Sequence, residues 1–155
     1  MNILFVCTGN ISRSFLAKAI LLDEISKKGI KDVEISSAGT GAYPGTAADP
    51  EMVNFLLEKK IPVPKHASKL LTSEDIKWAD MILVMEKPHY NHIAETWPES
   101  AAKVEMLGRY IAPDHPEDEI IDPYGRSTYH YRLVQSQIWL AVSNLVRAIG
   151  PREKI

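Results

Sequence analysis

Cys7 and Arg13 stand close together near the start of the chain, in the run Cys7-Thr8-Gly9-Asn10-Ile11-Ser12-Arg13-Ser14. A thiolate is a nucleophile, and the planar fork of a guanidinium matches the oxygens of a phosphoryl group. The flanking residues say how the two would be held. Ile3 to Val6 is an apolar run of strand length, and Phe15-Leu16-Ala17-Lys18-Ala19-Ile20-Leu21-Leu22 reads as a helix. The loop between them therefore ends at a helix N-terminus. Backbone N–H groups there lack helical partners, and the helix dipole adds positive potential. Such a terminus binds anions, and positive surroundings favour thiolate over thiol. Gly9 is expected to let the loop bend and approach a ligand closely. The stretch predicts an oxyanion cradle with Cys7 at its floor and Arg13 at its side. Thr8, Gly9, Asn10, Ile11, Ser12 and Ser14 would line it. A nucleotide-binding loop fits less well, because its Gly-Lys-Ser/Thr ending is missing.

Displacement at phosphorus by a thiolate leaves an alkoxide or phenoxide that needs a proton, and a carboxylic acid can supply it. Ile120-Ile121-Asp122-Pro123-Tyr124-Gly125 offers such an acid. Proline fixes its own φ and restricts Asp122, which limits where the carboxyl can go. Taken alone, Asp-Pro reads equally as a turn or a helix start. Beside a cysteine–arginine loop the catalytic reading prevails. Asp114 and Asp118 are the competing carboxylates and read as surface charges. The five histidines, His66, His89, His92, His115 and His130, form no tight ligand motif. His89 and His92 share a helix face but read as solvated surface, so no metal is expected.

These groups need a frame. Lys27-Lys28-Gly29 reads as a helix end, Val33 to Ala38 as a strand, and Gly39 to Gly45 as a loop. Asp49-Pro50 starts a helix whose Met52, Val53, Leu56 and Leu57 are expected to face the core. A short helix runs from Thr72 to Trp78. Met81 to Met85 has the continuous apolar character of a strand covered on both faces. A helix follows over Pro88 to Glu95, then a short strand over Val104 to Leu107. Ile111 to Tyr129 is loop. Tyr131, Val134, Ile138, Ala141, Leu145 and Ile149 fall on one face of a long last helix. Strands alternating with helices predict parallel βαβ units, with ligands beyond the carboxyl ends of the strands. Cys7 stands at such an end.

The totals set limits. The chain has 155 residues, which is the size of one domain with a proper core. A net charge of −2 gives no reason to expect nucleic acid or an anionic membrane as a partner. No apolar run is long enough to span a bilayer, and Met1 leads straight into a strand without a signal-peptide pattern. A single cysteine cannot form an internal disulfide, so a reducing, cytoplasmic location is expected.

The Cys-x5-Arg-Ser loop with Gly9 and Asn10, its flanking strand and helix, and Asp122-Pro123 together resemble the low-molecular-weight protein tyrosine phosphatase family. The likeness extends over nearly the whole chain. It implies an α/β three-layer sandwich, with a four-stranded parallel sheet, helices on both faces and the phosphate-binding loop after the first strand. Residues 1–155 would form one such domain. It also implies a protein tyrosine phosphatase with Cys7 as nucleophile, Arg13 as phosphate ligand, Asp122 as general acid, a phosphocysteine intermediate and no cofactor. Asn10, Ser14, Ser37 and His66 match the family's hydrogen-bond network, and Ser14 could donate to the departing sulfur. Each has a plainer alternative: Ser14 as helix cap, Ser37 as strand-end hydroxyl, His66 as exposed loop. Tyr43 and Tyr124 match the aromatic walls of the pocket, where exposed loop tyrosines would also fit.

Three departures sharpen the reading. Arginine phosphatases of the family carry Thr where Ile11 stands, and an apolar branched side chain suits a phenyl ring better than a guanidinium. Phosphotyrosine is therefore expected over phosphoarginine. Ser12 replaces a second Cys that family members often have beside the loop arginine, and the related thioredoxin-coupled arsenate reductases need still more cysteines. Phe15 replaces a common Pro. The substrate implied is a phosphotyrosine protein. Bacterial relatives often reverse a tyrosine kinase, which makes a bacterial tyrosine kinase the expected partner, with the phosphatase a monomer or weak dimer. A non-catalytic phosphopeptide-binding module using the same cradle is the competing reading from another class.

Overall fold

The computed structural model describes residues 1–150. Four strands form one parallel sheet: β1 (Asn2–Cys7), β2 (Glu34–Gly39), β3 (Met81–Val84) and β4 (Val104–Met106), in the order β2-β1-β3-β4. The helices are α1 (Arg13–Lys28), α2 (Pro50–Glu58), α3 (Ser73–Trp78), α4 (Lys87–Thr96) and α5 (Thr128–Ile149). Two 3₁₀ turns, Pro98–Lys103 and Leu107–Tyr110, flank β4 and fall where the sequence pattern gave no signal.

Side chains alternate across β1 and divide the interior into two layers. Ile3, Phe5 and Cys7 face a core shared with α1, α2 and α5, through Phe15, Leu16, Ile20, Met52, Leu56, Ile138 and Leu145. Leu4 and Val6 face the other way, onto Ile76 and Ile93 of α3 and α4. Helices on both faces explain why β1 and β3 read as unbroken apolar runs. β1 is central, and the chain leaves it toward β2 on one side and β3 on the other. Its carboxyl end is thus the switch point of the sheet, where open α/β folds place their ligands.

Helix ends follow their local chemistry. Gly29 caps α1 in the left-handed conformation, at φ 63°. Asp49 caps α2 by accepting from the Glu51 N–H, with Pro50 in the first turn. Thr72 and Asp75 form a capping box at α3. Two expectations need correction. α1 starts at Arg13, before the apolar run begins, because Ser12 to Ser14 already lie in its first turn. Leu57 is 61% exposed, since Met52 and Leu56 point into the core from α2, with Val53 and Phe55 packed at its edge.

Candidate active site

The loop from Thr8 to Ser12 is held from below by its own side chains. Asn10 is fully buried and lies in the left-handed region at φ 56°. Its amide donates to Ser14 Oγ and to Ser37 Oγ, each at 2.9 Å, and its Oδ1 accepts from the Lys69 N–H at 3.0 Å. A left-handed residue suits Asn because its short amide can bond locally. The bend expected of Gly9 is therefore made by Asn10. Gly9 has room for a Cβ and no positive φ. His66 Nε2 donates to the Asn10 carbonyl at 2.5 Å, and its ring leans on Phe15 with centroids 4.9 Å apart. Burial lowers the His66 pKa, so the ring stays neutral at physiological pH. Phe15, a departure from the usual Pro, thus supplies the surface against which His66 is set.

The β2 end closes the loop from the side. Thr40 and Gly41 donate their N–H groups to the carbonyls of Cys7 and Thr8, both at 2.9 Å. A Cβ on Gly39 would stand 2.4 Å from the Thr8 carbonyl oxygen and 3.0 Å from the Asn10 nitrogen. Only glycine permits that approach. It went unnoticed in the sequence because it depends on a neighbouring strand. Asp49 holds the far side: its N–H donates to the Ile11 carbonyl at 2.8 Å, and its carboxylate accepts from Tyr131 at 2.7 Å. The cap of α2 is therefore also a strut under the loop.

Cys7 Sγ lies 2.9 Å from Ser14 Oγ. The Ser14 hydroxyl has one proton, and its oxygen accepts from Asn10. A thiolate can only accept, so with Cys7 ionised the Ser14 proton is directed at sulfur. Arg13 is 1% exposed. Its Nη1 donates to Glu86 Oε1 at 2.5 Å and to the Ile120 carbonyl at 2.7 Å, while Nη2 lies 3.8 Å from Asp122 Oδ2. Its Nε–H and the Ser12 hydroxyl are buried without a partner among the described residues. A buried donor without an acceptor costs free energy on the order of 1–3 kcal/mol, so these groups mark where an anion belongs.

Asp122 is half-buried on the loop before α5 and faces Arg13. Its Oδ1 accepts from the Tyr124 N–H at 3.1 Å, a local turn that directs the other oxygen inward. Ile120 anchors this loop: it is fully buried, its N–H donates to Met85 and its carbonyl receives Arg13. Gly108 lets the loop pack close, since a Cβ there would meet the Asp118 carbonyl at 2.0 Å. Asp114 and Asp118 are exposed, as the sequence reading held. Tyr43 and Tyr124 are tied through their backbone to Ser68 and to Asp122 respectively, and are 85% and 62% exposed.

Two residues of the site were not foreseen. Glu86 is the carboxylate on Arg13. His89, read as solvated surface, is 3% exposed. Its Nδ1 accepts from the Glu86 N–H at 3.0 Å and its Nε2 lies 2.9 Å from Thr8 Oγ1. Burial first, then Arg13, pushes its pKa down to about 4. The signal available in the sequence was Glu86-x-x-His89 directly after an apolar strand, a helix start with reciprocal side-chain bonds.

A strand, a loop with a thiol at its floor and buried donors left open, and a helix beginning at the arginine form a site suited to an oxyanion. The family model for "Low molecular weight phosphotyrosine protein phosphatase" matches residues 2–154. The protein-arginine-phosphatase of Bacillus subtilis is 35% identical, over 89% of both chains. The low molecular weight protein-tyrosine-phosphatase Wzb of Escherichia coli K12 is 30% identical, over 98% of this chain and 97% of its own. A solved structure of a YwlE arginine phosphatase, a Cys-to-Ser mutant with a phosphorylated active site serine, superposes with a TM-score of 0.88. It is 32% identical over 96% of this chain and 95% of its own. The chain belongs to the low molecular weight phosphotyrosine protein phosphatase family.

Proposed function

We propose that this phosphatase hydrolyses phosphotyrosine on proteins through a phosphocysteine intermediate. The observation that carries the reading is the division of labour on Arg13. Nη1 is occupied by Glu86 and Ile120, while the buried Nε–H has no partner among the described residues. The Cys7 thiolate attacks phosphorus and forms the S–P bond. Arg13 and loop N–H groups hold the three non-bridging oxygens. The P–O bond to tyrosine breaks, and Asp122 gives its proton to the leaving phenoxide. Water then attacks phosphorus, Asp122 takes a proton from it, and the S–P bond breaks to release inorganic phosphate and the thiolate. Ser14, donating to sulfur, stabilises the thiolate as it departs. Asn10, Ser37 and His66 hold the loop, and Tyr43 and Tyr124 flank the ring of the substrate.

A second reading, phosphoarginine hydrolysis, is favoured by the Bacillus subtilis relative. Ile11 argues against it. An apolar branched side chain beside the phosphoryl site offers nothing to a guanidinium and packs against a phenyl ring. The substrate in the cell is a phosphotyrosine protein, with a bacterial tyrosine kinase the first to try, and the enzyme works in the cytoplasm as a monomer or weak dimer. Turnover of an aryl phosphate, a phosphotyrosine peptide and a phosphoarginine protein, measured side by side with Cys7→Ser and Asp122→Asn controls, tests this. Preference for phosphoarginine overturns the substrate assignment. Phosphate binding without any turnover by the unchanged protein makes it a binding module.

A further inference from the structure

The bonds around His89 fix which of its nitrogens carries a proton. A backbone N–H can only donate, so the Glu86 N–H makes Nδ1 an acceptor. The neutral ring therefore has its proton on Nε2, and that proton donates to Thr8 Oγ1. The charged form would break the bond to Glu86. The groups facing the ring are Arg13 from α1, Asp122 and Glu119 from the loop before α5, and His92 from α4 itself. Burial and Arg13 together keep it neutral down to about pH 4.

This has a consequence for Thr8. Its hydroxyl oxygen accepts from His89, and its own proton has no acceptor among the described residues. Its carbonyl is taken by Gly41 on the other side of the loop. The side chain follows Cys7 directly, is exposed, and lies against a ring that feels the charges of both Arg13 and Asp122.

We propose that the Thr8 hydroxyl donates its free proton to a non-bridging oxygen of the bound phosphoryl group, and that His89 is the positioning residue that turns it there. This rests on the phosphate-loop reading above and adds a side-chain donor to the backbone cradle. The same ring fastens the backbone of Glu86, whose carboxylate holds Arg13. Thr8, His89, Glu86 and Arg13 thus form a chain of contacts whose two ends stand at the start of the phosphate loop and at the start of α1.

The test is equilibrium titration of inorganic phosphate into the purified protein, which does not depend on turnover, with kcat and KM on an aryl phosphate alongside. Thr8→Val keeps the shape and removes the proton. It should weaken phosphate binding about ten- to a hundredfold, as loss of one hydrogen bond to a charged acceptor does. Thr8→Ser should restore it. His89→Asn can still accept from the Glu86 N–H but is too short to reach Thr8, and it should weaken phosphate binding to a similar degree. In the double variant the two losses should not add, because both remove one bond. Melting temperatures within a few degrees of the unchanged protein confirm that folding is intact. Phosphate affinity unaltered by Thr8→Val, or losses that add fully in the double variant, overturns the proposal. Failure of the unchanged protein to hydrolyse aryl phosphate would instead count against the catalytic reading.

Discussion

The two halves of the active site are built differently. The phosphate loop is buried at its base and held by several elements: Asn10, Ser12, Arg13 and Ser14 are all at most 4% exposed, while Thr8 is exposed. β2, α2, α4 and the Lys69 backbone each hold one part of it. The loop with Asp122 has no strand partner and runs exposed from Pro113 to Glu119. Ile120, Pro123 and the close approach at Gly108 are its anchors. The contrast follows from the two tasks. An oxyanion site works by being formed in advance, so that no reorganisation is needed when charge develops. A proton donor must meet leaving groups of varied shape and then admit a water, which needs an accessible carboxyl.

Changes on each side should therefore fail in different ways. Cys7→Ser should lower turnover by on the order of 10⁴ or more with every substrate, while phosphate still binds, measured by steady-state kinetics and titration. Asp122→Asn should reduce kcat about 10²- to 10³-fold for phosphotyrosine, whose leaving oxygen needs a proton. The loss should shrink for aryl phosphates with acidic phenols. Equal losses across that series would contradict the assignment of Asp122 as acid.

Gly39→Ala probes the frame rather than the chemistry. A Cβ 2.4 Å from the Thr8 carbonyl must push the loop away from β2. A displacement of this kind should cost roughly 10²-fold in kcat/KM. It should also lower the melting temperature, read by thermal unfolding. A corresponding change on the outer loop, Asp118→Ala, should leave both within about twofold, because that side chain is exposed.

A further effect is expected on stability as a function of pH rather than on turnover. His89 titrates near 4 when folded and near 6.5 when unfolded. Between those values the unfolded chain binds more protons than the native one. Stability from this group is therefore complete above about pH 6.5 and is lost as pH falls toward 4, by up to about 3 kcal/mol. Denaturant unfolding at several pH values should show this slope, and His89→Asn should flatten it. An unchanged slope would place His89 outside the chain of contacts described above.

The same contrast governs how much could be read before the coordinates. The strands and helices, taken one by one, follow from periodicity and caps, because those signals are local; the four-stranded sheet with helices on both faces is what the family resemblance implies. Cys7, Arg13 and Asn10 were legible for the same reason: their spacing lies within one strand–loop–helix unit. Asp122 needed the loop to give it meaning, since Asp-Pro alone fits many turns. Glu86, His89, Asp49 and Gly39 act across elements. A carboxylate on Arg13 from α4, or a missing Cβ on β2, leaves no pattern near the residue it serves. His89 was misread for this reason. A helical pair of histidines reads as surface unless one knows that Thr8 and the start of α4 close over one of them.

The central claim is that phosphorus passes through the sulfur of Cys7. Rapid denaturation during turnover of an aryl phosphate with an acidic phenol by the Asp122→Asn variant, followed by peptide mass spectrometry above neutral pH, tests it directly. Phosphate covalently attached at Cys7 in a rapidly formed fraction of the enzyme is the expected result. Sustained turnover with phosphate never attached there, or attached at another side chain, would contradict the account.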